Sequence, residues 1–141
     1  MKEKAKLISE IFSKELFALN MYSLLFNRLD QSFPKKRLQP MIKNHDMAVR
    51  FWERQLRIYG VKVQAKRRLW ELFASCIIYF SFIIGHKYTL KALKIGEAKC
   101  LKLYLRLHCD KTLTLYQRDF IVQKLIPMQR QHLQNLMTLL K

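Results

Sequence analysis

Six positions carry the chemistry this sequence has to offer: Glu15, His45, Ala48, Glu97, Gln129 and His132. A helical bundle that holds two carboxylate-bridged metal ions takes a lone Glu from each of two helices and a Glu-x-x-His pair from each of two others, because side chains at i and i+3 share one inward face. Glu15 and Glu97 fit the lone positions. The pairs read His45-Asp46-Met47-Ala48 and Gln129-Arg130-Gln131-His132, so Glu15, Glu97 and His132 keep the required type and the other three positions do not.

The replacements limit the chemistry. Iron in such a site is held by hard carboxylates that bridge the two cations and by one imidazole on each. His45 removes a negative charge and an oxygen bridge, Ala48 supplies no ligand, and Gln129 offers a neutral amide oxygen. Two irons would bring at least four positive charges against Glu15 and Glu97, so no di-iron centre is expected. A single zinc, iron or manganese held by Glu15, His45, Glu97 and His132 suits the ligand types. The third arrangement needs no metal: each carboxylate pairs with an imidazole inside the bundle.

Helices must position these residues. Three Gly and three Pro among 141 residues leave few turns, and half the chain is hydrophobic; one all-α domain with a real core is expected. Leu7, Ile8, Ile11, Phe12, Glu15, Leu19, Tyr22 and Phe26 recur at three- and four-residue steps and predict a helix over 4–29, ended by Asp30-Gln31-Ser32-Phe33-Pro34. A second helix is predicted over 35–59, with Pro40 near its start and Gly60 as its stop. A third amphipathic segment covers 86–109, and a last helix covers 113–140, bent or restarted at Pro127.

Between the second and third lies the least polar part of the chain. Leu72 to Ile84 carries no charge, yet about 13 residues fall short of the roughly 20 needed to span a membrane. Trp70, Leu72, Phe73, Ile77, Tyr79, Phe80, Phe82 and Ile83 predict a buried helix or one lying in a membrane interface.

Charge points outward. With 27 Lys and Arg against 10 Asp and Glu the formal net charge is +17 and the pI about 10.1. Such a field attracts polyanions, RNA phosphates or an anionic membrane surface. The densest patches are Lys35-Lys36-Arg37, the run Lys62, Lys66, Arg67 and Arg68, and the Lys87 to Lys102 face, with Tyr59, Trp70 and Tyr88 nearby. Basic residues interleaved with aromatics suit phosphate contact and base stacking. Recognition of DNA sequence is not expected. Cys76, Cys100 and Cys109 lack metal or disulfide spacing and read as small core residues without a base to activate them. The opening residues show no secretory h-region, and Glu3, Glu10 and Glu15 make a weak presequence.

At these positions the chain resembles the demethoxyubiquinone hydroxylase family, the ferritin-like di-iron monooxygenases of ubiquinone biosynthesis. Lys14-Glu15-Leu16-Phe17-Ala18-Leu19-Asn20-Met21-Tyr22 is similar to that family's Gly-Glu-Tyr-Gly-Ala-x-x-x-Tyr. Gln39 to Leu56 resembles its second helix, with His45 on a ligand Glu, Ala48 on the ligand His and Trp52 at an aromatic position. Leu69-Trp70 looks like the opening of its apolar helix, Gly85 falls on a glycine, Glu97 on the third-helix ligand and Tyr104 on a tyrosine. Gln129 and His132 take the last Glu-x-x-His, after a shorter connection.

The resemblance implies a ferritin-like four-helix bundle with an added apolar segment, and a mitochondrial location, at the inner membrane if the chemistry survives. The family's apolar helix is glycine-rich to admit an isoprenoid quinone; here Ala74, Ser75 and Cys76 precede Ile77, Ile78, Tyr79 and Phe80, which would fill such a channel. The expectation is therefore a non-catalytic pseudoenzyme with no cofactor, a basic structural or adaptor subunit bound to RNA or protein partners in a larger assembly such as the mitochondrial ribosome. The alternatives are a peripheral membrane hydroxylase with an altered metal site, and a quinone- or lipid-binding accessory protein.

Overall fold

A computed structural model describes residues 2–29 and 34–141, with the side chains of 65, 66 and 80–83 set aside. The predicted turn residues 30–33 and the side chains of Lys66, Phe80, Phe82 and Ile83 therefore lie outside the described residues. Among those described, every regular element is helical, as the composition requires. The helices group into two compact units, 1–85 and 86–141.

The first unit contains α1 (Lys2–Arg28), a short 3₁₀ turn (Lys35–Leu38), α2 (Gln39–Ile58) and α3 (Gln64–Ile84). The second helix is predicted to begin at residue 35, but its first four residues form the tighter 3₁₀ turn and α2 starts at Gln39. Pro40 explains this: at the first turn its missing N–H is tolerated, and its fixed φ favours starting a helix there. Gly60 ends α2 at φ +75°. Its N–H donates to the Arg57 carbonyl and that of Val61 to Leu56, the paired bonds of a Schellman cap.

α1 packs on both α2 and α3. Ile8, Ile11, Phe12, Leu16, Tyr22 and Leu25 of α1 and Met41, Val49, Phe51, Trp52 and Leu56 of α2 are buried. α3 contributes Ala74 and Ile78, and Phe17 meets Trp70 and Phe73 at ring distances of 5.6 and 5.5 Å. Among the described side chains of Leu72–Ile84, only Ala74 and Ile78 are fully buried. Leu69, Leu72, Phe73, Cys76 and Tyr79 lie on an exposed stripe, with Leu72 67% and Tyr79 61% accessible, while Trp70 and Ile77 are half-buried. One face of α3, the Ala74–Ile78 line, meets α1; an apolar helix with one covered face must show the other.

The second unit contains α4 (His86–Leu107), α5 (Leu115–Phe120), a π-helical turn (Ile121–Leu125) and α6 (Ile126–Leu139). α4 packs on α6, and Leu90, Leu93, Tyr104, Leu107, Ile121, Leu125, Ile126 and Leu136 are buried. Thr114 caps α5: its hydroxyl accepts from the Gln117 N–H and the Gln117 side chain accepts from the Thr114 N–H, a reciprocal capping box. The bend expected at Pro127 appears as the π turn just before it. Pro127 cannot donate to the carbonyl of Gln123 and its ring crowds that group; the Ile126 N–H instead reaches back to Ile121, widening the helix by one residue.

None of the three cysteines is a core residue: Cys76 and Cys109 are exposed and Cys100 is half-buried. Cys109 ends beside His108, whose Nδ1 lies 2.8 Å from Sγ. An imidazole is thus placed against that thiol where none is expected from spacing, because the two residues are consecutive in the turn that follows α4.

Candidate functional site

In the first unit, Glu15 on α1 and His45 on α2 are brought together. Both are buried, and Nδ1 of His45 donates to Oε2 of Glu15 at 2.6 Å. The His45 ring lies over Tyr22, with centroids 5.3 Å apart and planes at 17°, so the imidazole is fixed in direction as well as in distance. Ala48, one turn further along α2, is fully buried and presents only a methyl group. Trp52, a further turn on, is also fully buried, and its indole N–H has no hydrogen-bond partner among the described residues.

In the second unit, Glu97 on α4 meets Gln129 and His132 on α6. Oε2 of Glu97 accepts from Nε2 of Gln129 at 2.6 Å and from Nδ1 of His132 at 3.2 Å; the Gln129 amide also donates to the Glu97 backbone carbonyl at 3.2 Å. All three side chains are buried. The i, i+3 spacing turns Gln129 and His132 to one face, as the sequence pattern requires. The π turn lies one turn before Gln129.

Two carboxylate-bridged irons do not fit these donors. His45 is hydrogen-bonded at a position where a bridging carboxylate is needed, Ala48 offers no lone pair, and the Gln129 amide has its N–H on Glu97. The amide at 129 makes chemical sense without a metal. A carboxylate there would stand 2.6 Å from Glu97, where two negative charges need a cation or a shared proton; an amide supplies the proton itself. The single-metal reading takes two ligands from each unit, and each unit alone presents one carboxylate and one imidazole. In each unit these buried polar side chains have hydrogen-bond partners in one another.

The basic patches divide. Lys36, Arg37, Lys62 and Arg68 are exposed, as polyanion ligands must be. Arg67 is not a free cation: its guanidinium donates to Glu53 at 2.9 Å and lies 5.9 Å from the Phe12 ring centroid. It ties α3 to α2 and α1. Lys35 is half-buried, with its ammonium 5.0 Å above the Phe26 ring. On α4, Lys87, Lys91, Lys99, Lys102 and Arg106 are exposed and Lys91 lies 5.7 Å from the Tyr88 ring.

No family model matches the chain, and neither a curated protein nor a solved structure matches it.

Proposed function

We propose that the chain is a degenerate ferritin-like bundle, similar in sequence register to the demethoxyubiquinone hydroxylases, that no longer catalyses and serves as a basic structural or adaptor subunit of an RNA-containing assembly. The observation that carries this reading is the state of the former ligands. Glu15 is bonded to His45, and Glu97 to both Gln129 and His132, so the buried groups that would bind metal satisfy one another. A fold kept without its chemistry is kept for binding.

The +17 charge supports a polyanionic partner. Exposed Lys36, Lys62 and Arg68 in the first unit and the Lys87 to Arg106 face of α4 are spread over helix surfaces, an arrangement suited to phosphates rather than to a small acidic ligand. The resemblance to ubiquinone-synthesis enzymes supports a mitochondrial location, and together with the charge it leads to a mitochondrial ribonucleoprotein, the mitochondrial ribosome among them.

Salt titration of RNA binding tests this. Log affinity should fall linearly with log salt, with a slope reporting the phosphates neutralised. The double change Lys62→Glu, Arg68→Glu should weaken binding and flatten the slope while leaving the unfolding temperature unchanged; Arg67 is unsuitable, being part of the core contacts. Salt-insensitive or absent RNA binding contradicts the proposal.

A second reading has its own observation, the exposed apolar stripe of α3. Among the described residues no helix is long and apolar enough to cross a membrane, but this one, flanked by Lys62 and Arg68, suits an anionic lipid surface. Tight binding to anionic vesicles without RNA association would favour that reading, in which the chain is a peripheral hydroxylase or a quinone-binding accessory.

A further inference from the structure

α4 carries its cations differently from α2. On α2 two of the arginines are answered within the helix, Arg50 by Asp46 at 3.0 Å and Arg57 by Glu53 at 3.4 Å. Between Glu71 and Asp110 the sequence has a single acid, Glu97, and it is buried against Gln129 and His132. Lys87, Lys91, Lys99 and Lys102 are all exposed on a helix with no other carboxylate; Arg106, one turn beyond, has Asp110 near it. Lys87 and Lys91 stand at i and i+4, and Lys99 and Lys102 at i and i+3, spacings at which like charges destabilise a helix. An external polyanion relieves that repulsion.

The four lysines fall into two pairs. Lys91 and Lys99 are eight residues apart, about 12 Å along the axis, and the exposed surface between them, Ala92, Ile95 and Gly96, is uncharged. Lys94 is half-buried and turned about 100° away from Ile95. A glycine in mid-helix lowers helix stability relative to alanine, yet a Cβ at Gly96 would meet nothing within 4 Å, so packing among the described residues does not require it. A position without a side chain lets another molecule come close to the backbone.

We infer that α4 lies across the shallow minor groove of an A-form RNA duplex. Lys87 and Lys91 meet the phosphates of one strand, Lys99 and Lys102 meet those of the other, and Ala92, Ile95 and Gly96 bring the helix against the groove floor with its 2′-hydroxyls. Duplex RNA is recognised by shape in this way, because its minor groove is wide and shallow. B-form DNA fits the face poorly. Its minor groove, about 6 Å wide, is narrower than a helix of about 10–12 Å, and its major groove is read by polar side chains, which the surface between the lysine pairs lacks. The inference rests on the RNA-binding proposal above and deepens it by naming the form of RNA and the helix that meets it.

The test uses the full chain with an RNA duplex of about 16 base pairs, one of its strands, and the DNA duplex of the same sequence, all at one salt concentration. The RNA duplex should bind tighter than either. Lys91→Gln combined with Lys99→Gln should weaken that binding and lower its log–log salt slope by about 2, one phosphate for each lysine. Gly96→Leu leaves every charge in place and favours the helix. It should raise the unfolding temperature and yet weaken RNA-duplex binding about tenfold, or ~1.4 kcal/mol, which separates contact from folding. If Gly96→Leu binds the RNA duplex as the native chain does, nothing approaches the α4 backbone and the groove assignment is overturned; if the lysine variant does so too, RNA binding rests on Lys36, Lys62 and Arg68 instead. A native chain that binds the single strand or the DNA duplex as tightly as the RNA duplex overturns the A-form assignment and leaves the RNA-binding proposal standing. A native chain that binds no RNA removes both.

Discussion

One oxygen of Glu97 accepts from both Gln129 and His132 in a buried setting, and this arrangement makes Gln129 the informative residue to change. Gln129→Glu places a second carboxylate where the amide donates. Repulsion in low dielectric raises the pKa of one of the two above its unfolded value. A raised carboxyl pKa costs stability above the unfolded pKa, and the loss is recovered as pH falls through the folded value. Q129E should therefore be less stable than the native chain at pH 7 and gain on it as the pH is lowered towards 5, as measured by thermal unfolding across pH. An unchanged difference over that range would contradict the metal-free pairing.

Removing the acceptor instead strands the donors. Glu97→Leu should cost ~3 kcal/mol, because Gln129 and His132 lose their common partner while still buried. Combining it with Gln129→Leu and His132→Leu leaves no orphaned polar group and should be milder; urea unfolding of the two variants gives the comparison. Much of this cluster is legible from sequence, because i and i+3 residues share a face whatever the tertiary detail. What spacing did not reveal is that Arg67 serves Glu53 and Phe12 rather than solvent, since an isolated basic run looks the same whether or not one member turns inward.

At the scale of helices, stops and caps are local and therefore readable. Gly60 ends α2 because an αL position after a helix suits a residue without Cβ. Thr114 and Gln117 have the spacing of a capping box, and Thr114→Ala should cost about 1 kcal/mol, read as a lowered unfolding midpoint, with no change in RNA affinity. The 3₁₀ start at Lys35 and the π turn before Pro127 are less readable. Both depend on how each proline's missing donor is accommodated, and a bend, a break and a widened turn all satisfy the same sequence. α3 is the clearest divergence. Its uncharged run from Leu72 predicts a buried helix or one at a membrane interface; among the described side chains of that run, only Ala74 and Ile78 are fully buried, and hydrophobicity alone does not say which face that will be.

For the whole molecule, the all-helical class follows from scarce Gly and Pro and from periodicity, and it holds. The +17 charge is the ground for proposing an anionic partner, and the exposed lysines of α4 and the 3₁₀ turn are the surfaces that proposal assigns to it. The ferritin-like register we propose rests on six positions spread over the chain, each on a helix, with the Glu and His of each half bonded to one another.

Metal content tests the central claim, loss of di-iron chemistry, most directly. The chain purified without chelators from iron-replete cells and assayed by elemental analysis should carry well under one equivalent of iron, because its carboxylates are engaged by His45, Gln129 and His132. Two equivalents of iron per chain, with the absorption of a carboxylate-bridged pair, would contradict the account and return the protein to the hydroxylases.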